Sequence, residues 1–296
     1  MGGAMFDSYL MVDWSAAARP KTGADSIWCC LSGPGVRPQM VNPPTRQAAT
    51  DWIVSCLTDE LSAGRRVLAG FDFPVGYSRG FAASLQLSGP AWQASWNLLS
   101  DVIVDQPDNA NNRFDVAEAL NRRCSGRAFP FWGHPHGRRY RYLQPKKAAG
   151  YGDLSEQRYA DSIVPGTQPV WKLLGAGSVG SQALTGIARL HQVRFNPALS
   201  VATRVWPFET GWGVPADDAR IVLAEVYPTP LADPPEPGEP KDAGQVRGAA
   251  RRFAELDAAG ELEKLFHPPT GTTPEIIQAV EAEEGWILGA PFNWVT

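Results

Sequence analysis

Cysteine and histidine are scarce in this sequence, with four of each in 296 residues, and neither set is spaced for chemistry. Cys29, Cys30, Cys56 and Cys124 form no C-x-x-C pair and stand at no zinc-site interval from a histidine. That pattern excludes a zinc module and predicts reduced core thiols in a cytoplasmic protein. No stretch approaches the roughly 18 apolar residues that a membrane span requires. The first residues lack the basic-then-apolar order of a signal peptide. No internal repeat is present, so solenoids and propellers drop out. His134 and His136 in GHPHG alternate like a metal pair, but no third ligand accompanies them. Ser15 sits beside Asp13 with no histidine tied to it.

What remains is an ordinary globular composition: 44% hydrophobic, 20% charged and rich in tryptophan, with 11. A chain of this length buries about three quarters of the surface its unfolded form exposes and needs no staples. The net charge of −4 argues against indiscriminate polyanion binding, but the charge is unevenly spread. Residues 113–147 hold nine Lys or Arg against Asp115 and Glu118, so this segment is +7 and the rest of the chain −11. Arg138, Arg139 and Arg141 lie there among Phe129, Phe131, Trp132, Tyr140 and Tyr142. Basic groups interleaved with aromatics suit a phosphate backbone and stacked bases. A solvated loop with aromatic anchors is the plainer reading.

Periodicity divides the chain. YLMVDWS (9–15), SIWCCLSG (26–33) and Val36–Val41 read as strands. Thr45 caps a helix to about Ala63, with Ala49, Ile53, Leu57 and Leu61 on one face. VLAGFDFP follows Gly64 as a fourth strand. Helices are expected at 90–104, 113–123 and 178–190, and a Gly/Pro/aromatic loop at 124–152. ARIVLAEVYPTP (219–230) is a strand closed by prolines, and DPPEPGEP (233–240) a stiff connector. An amphipathic helix spans 241–260, and Thr273-Pro274-Glu275 opens a last one. Three strands, a helix and another strand suggest a hairpin-type sheet extended by a crossover.

The strand ends carry acids. Asp13, Asp72 and Glu225 each close an apolar strand, and Asp242 begins the helix after the last. An isolated carboxylate is expensive to bury, and several gathered at one sheet edge repel unless a cation holds them. Oxygen ligands without Cys or His favour Mg²⁺ or Mn²⁺. Gly175, Gly177 and Gly180 have G-x-G-x-x-G spacing before a helix, as in dinucleotide sites. The acid expected about 20 residues on is missing, because no Asp or Glu stands between Asp161 and Glu209. A Gly-rich, anion-binding turn is the better expectation, with Lys172, Ser178 and Gln182 as candidate phosphate contacts and Lys241 beside Asp242.

VDWSA, GFDFPVG, GSVGSQALTGIARLHQVR, AEVYP and KDAGQVRGAARRFAEL, in this order over nearly the whole chain, resemble a family of uncharacterised bacterial and archaeal proteins with a predicted ribonuclease H-like nuclease fold. The resemblance implies a mixed five-stranded sheet of order 3-2-1-4-5 with strand two antiparallel, flanked by helices. It makes 77–218 an insertion before the last strand of one domain. It implies a metal-dependent phosphodiester hydrolase whose acidic site falls on Asp13, Asp72, Glu225 and Asp242, acting on nucleic acid or a nucleotide-containing small molecule. By analogy with the wider fold, Asp51 could join them, although a solvated helix face explains it more simply. Names attached to some relatives point instead to molybdopterin or cobalamin biosynthesis, and a non-catalytic binding protein of the same fold is the third reading.

Overall fold

The structure is a computed structural model and describes residues 3–147, 150–151 and 154–293. Strands β1 (Ser8–Asp13), β2 (Trp28–Gly33) and β3 (Val36–Val41) open the chain, followed by helix α1 (Arg46–Ser62) and β4 (Val67–Phe71). Next come α2 (Phe81–Ser84), α3 (Ala91–Val102), α4 (Arg113–Ser125), α5 (Tyr159–Ile163) and α6 (Val179–Arg194). Strands β5 (Thr203–Val205) and β6 (Ile221–Glu225), then α7 (Lys241–Ala258) and α8 (Pro274–Ala279), complete the order. Local signals explain several boundaries. The Thr45 hydroxyl accepts a hydrogen bond from the Ala48 N–H at 3.2 Å and starts α1. Pro274 occupies the first turn of α8, where its missing N–H costs nothing.

The sheet is mixed, in the order β3-β2-β1-β4-β6-β5. β2 runs antiparallel to β1 and β3, while β1, β4, β6 and β5 are mutually parallel. The expected five strands are therefore six, and the expected order gains an edge. The strand at 221–225 does lie beside β4, but three residues from the 77–218 segment, Thr203–Val205, pair outside it. A three-residue strand has no readable period, so nothing in the sequence announced it. At the opposite edge β3 is largely exposed and contains Arg37 and Pro38.

Two cores cover the two faces. Leu10 and Val12 of β1, Phe71 of β4 and Leu223 of β6 pack under α1, α3, α4 and α6. Tyr9, Met11, Leu68, Val222 and Ala224 pack against α7 and residues 262–290. β4 and β6 are buried along their whole length, which is why they read as continuous apolar runs. The four cysteines are free thiols. No helix among the described residues is long and apolar enough to cross a membrane.

Candidate functional site

Register decides which acids meet. β1 and β4 pair in parallel with Val12 level with Phe71, so Asp13 and Asp72, each one residue further on, arrive together at the C-terminal edge. Their carboxyls lie against one another, close enough to share a hydrogen bond when one is protonated. The Trp14 N–H donates to Asp72 Oδ1 at 2.7 Å, fixing that carboxyl. Burial, and then the charge of Asp72, hold the Asp13 carboxyl well above the usual carboxylate range. Burial likewise raises Asp72, to about 6, against the hydrogen bonds it receives from Asp13 and Trp14. The pair thus holds a proton under conditions where ordinary aspartates have lost theirs.

Asp242 comes from the first turn of α7, is buried, and adds its negative charge to both members of the pair. Its Oδ2 accepts from the Asp25 N–H at 2.7 Å. Exposed Lys241 precedes it and draws the Asp13 carboxyl back down. These groups line an open cleft of about 580 Å³, with Ser178, Gln182 and the turn Leu174–Gly177 on its far wall. Gln182 Nε2 donates to Trp14 O at 2.6 Å and ties that wall to the β1 end.

Glu225 does not join them. It is level with Phe71 and Val12, one residue short of Asp72 and Asp13, and strand alternation sends it to the opposite face. There it is buried against Arg158, which reaches both its oxygens at 2.7 and 2.6 Å and both oxygens of Asp161 at 2.9 Å. The Val75 N–H donates to Glu225 Oε2 at 3.0 Å. Burial raises the Glu225 carboxyl, with Arg158 opposing. This carboxylate is a structural charge, not a cleft group. Asp51 is exposed on α1 and accepts from Gln47 Nε2 at 2.8 Å, as a solvated helix face would.

Lys172 also departs from expectation. Its Nζ donates to Gln168 Oε1 at 2.9 Å and Ala176 O at 2.6 Å, so it braces the Gly-rich turn from behind. The stretch before that turn makes only an isolated bridge between Trp132 and Lys172 and belongs to no strand of the sheet. Gly180 is required by packing, since a Cβ there would stand 2.3 Å from Val170 O. The dinucleotide motif is therefore a coincidence of spacing. Arg138, Arg139 and Arg141 are exposed outside the cleft, Arg138 donating to the Tyr140 hydroxyl at 3.1 Å and Arg141 lying over the Tyr142 ring. Phe131 is instead a core residue packed on Tyr77, Phe81 and Trp171. His134 is buried with Nδ1 against Pro135 O, and His136 is exposed.

Two features were passed over in the sequence. Gly76-Tyr77-Ser78-Arg79-Gly80 has the G-x-S-x-G spacing of a hydrolase elbow, but the Ser78 hydroxyl is fully buried with no hydrogen-bond partner. The turn's amides are already taken, Gly80 N–H and Ala82 N–H donating to Glu283 and Arg79 N–H to Glu284. An elbow needs an exposed nucleophile, so this one is structural. The second is Arg113, counted only as part of the basic segment, which lines the cleft.

Among the described residues no group of three or more His, Cys, Asp or Glu could hold a metal ion. Asp242 is felt electrostatically without closing a three-carboxylate cage. The donor set at the edge is the Asp13–Asp72 pair, which matches the one or two carboxylates by which Mg²⁺ is ordinarily bound, its other positions going to water and substrate phosphate.

Fold and cleft together define an α/β protein with a mixed six-stranded sheet and a proton-sharing carboxyl pair at the C-terminal edge of two neighbouring parallel strands. Compared with protein-family models, curated proteins and solved structures, the chain finds no match.

Proposed function

We propose that the protein is a Mg²⁺- or Mn²⁺-dependent phosphodiester hydrolase acting on nucleic acid or a nucleotide-containing small molecule. The observation that carries this reading is the contact of the Asp13 and Asp72 carboxyls, both raised by burial, at an open sheet edge. Such a pair makes no salt bridge among the described residues, Lys241 acting on it only at a distance, and a hard divalent ion relieves the repulsion that its proton otherwise relieves. When bound, the ion polarises a phosphate oxygen and acidifies a water.

The chain's own residues do the rest. Asp13 and Asp72 would hold the ion as carboxylates, their proton passing to solvent, and the Trp14 N–H keeps Asp72 oriented. Asp242 deepens the negative potential that attracts the cation, while Lys241 offers an ammonium at the cleft wall for a substrate phosphate. Gln182 is held to the β1 end and Ser178 keeps a free cap hydroxyl beside it. Outside the cleft, Arg138, Arg139 and Arg141 are exposed to a polyanion backbone.

Mn²⁺ titration of the full chain tests the assignment. Free Mn²⁺ at roughly a hundredfold excess over Kd stabilises by about 2.7 kcal/mol, a Tm rise of several degrees. Asp72→Asn is expected to abolish that rise and Mn²⁺-dependent cleavage of bis(p-nitrophenyl) phosphate together. A Tm indifferent to Mn²⁺ in the wild type overturns the proposal.

A further inference from the structure

Six arginines are buried among the described residues: Arg46, Arg66, Arg113, Arg158, Arg189 and Arg194. Five have a carboxylate within ion-pairing distance. Arg46 and Arg189 share Asp105, Arg158 has Glu225, Arg194 has Glu209, and Arg66 reaches Asp217. Arg113, 9% exposed, makes no ion pair with any described residue. A buried guanidinium is normally neutralised by a neighbour, because leaving it alone forfeits hydration without return. The nearby cations outweigh the one carboxylate that it feels, Asp105, which is already shared by Arg46 and Arg189. Burial first, then Arg46 and Arg138, bring its pKa down to about 10.

Its position is nonetheless tightly fixed. Nε donates to Ser181 Oγ at 2.9 Å, Nη1 to Asn111 Oδ1 at 2.8 Å, and the group lies 4.4 Å from the Phe114 ring centroid. Ser181 is itself committed, donating to Leu173 O at 2.6 Å, and so can only accept from Arg113. Both partners are neutral. Nη2 has no acceptor among the described residues, and the side chain lines the same cleft as the acid pair.

The turn beside it also has spare donors. The N–H groups of Gly175, Ala176, Gly177 and Ser178 find no acceptor in the described protein, whereas those of Val179, Gly180 and Ser181 are already bonded to Gly177, Lys172 and Ser178 carbonyls. Gly175 and Gly177 hold φ values of +97° and +67°, the backbone form in which successive amides make an anion nest. The unused capacity therefore lies in the turn and in Arg113, not in the end of α6.

We propose that Arg113 and the amides of Gly175–Ser178 form a phosphate-recognition subsite in the cleft, where a substrate phosphate supplies the counter-charge that the protein withholds from Arg113. One guanidinium arm and several amides exceed what a two-oxygen carboxylate absorbs and suit a tetrahedral oxyanion. The proposal rests on reading the cleft as a phosphate-ester site. It requires no metal, and that separates its test from the one above.

The full chain is titrated in EDTA with inorganic phosphate, and with acetate and chloride at matched ionic strength, by calorimetry and by amide NMR. Phosphate is expected to bind saturably, to shift the Gly175–Ser178 amides, and to bind about tenfold or more weakly to Arg113→Gln. Asp72→Asn is expected to bind phosphate at least as well as wild type, because a repelling carboxylate is gone. Acetate matching phosphate, equal phosphate affinity in Arg113→Gln, or unmoved Gly175–Ser178 amides in the wild type each overturns the subsite. The NMR result stands even if the variant does not fold.

Discussion

Two carboxylate sites one residue of register apart met opposite fates. At Glu225 the acid turned into the interior and was closed by Arg158 and Asp161, every oxygen bonded. At Asp13 and Asp72 the acids turned towards a cleft, where one backbone N–H, from Trp14, and the distant charge of Lys241 are all the chain sets against their repulsion. Both are largely out of water, so burial alone does not separate a structural acid from one held ready for a ligand. The separating quantity is whether the chain supplies the counter-charge itself. Arg113 makes the same point with the sign reversed: charges left unmatched on both walls of one cleft describe what the cleft is missing.

The largest expected effect comes from breaking the closed site. Arg158→Met strands Glu225 and Asp161 as buried like charges and should cost about 3–5 kcal/mol, measured as a fall in denaturation midpoint at pH 7. A loss under about 1 kcal/mol would mean that Arg158 does not hold the two carboxylates as described. The open site should behave otherwise. Removing one charge of a repelling pair in Asp72→Asn is expected to leave the metal-free protein as stable as wild type or slightly more so at pH 7.

A pH series sharpens the contrast. A carboxyl raised on folding contributes stability that is fully present below its ordinary value and lost as pH climbs through the folded one. For Asp72 that window runs from 3.8 to about 6. Wild type should therefore lose stability across it from this pair, and Asp72→Asn should flatten the loss, read from urea midpoints at fixed ionic strength. Smallest of all, Asp51→Ala is expected to stay within about 0.5 kcal/mol and to leave Mn²⁺ stabilisation unchanged. A lost Mn²⁺ response there would draw α1 into the site.

Much of this was legible in the residues. β1 to β4, the Thr45 cap, α4, α6 and α7 fell where apolar periodicity and breakers put them, and the meeting of Asp13 with Asp72 followed from two adjacent strands ending alike. The misses share a cause. Glu225 ends a strand as clearly as Asp72 does, but a crossover connection does not fix how far one parallel strand slides against the next, and a single step reverses the face. Lys172 and Arg113 are both bases near a Gly-rich turn. Only the tertiary arrangement gives the first to Ala176 O and leaves the second without a carboxylate. β5 was too short to carry a pattern.

The two borders of the sheet bear on how the molecule lives among its copies. One border strand holds Pro38, which offers no N–H, beside exposed Arg37, and the other is only the three residues Thr203–Val205 long. A border that is interrupted or abbreviated gives an incoming strand too few rungs to hold. Between them sit strands as apolar as IVLAE, which in an unfolded chain would stack readily on their own kind. Once folded, the sheet keeps those strands in its middle, and crowding gives neighbouring molecules no template on which to extend it.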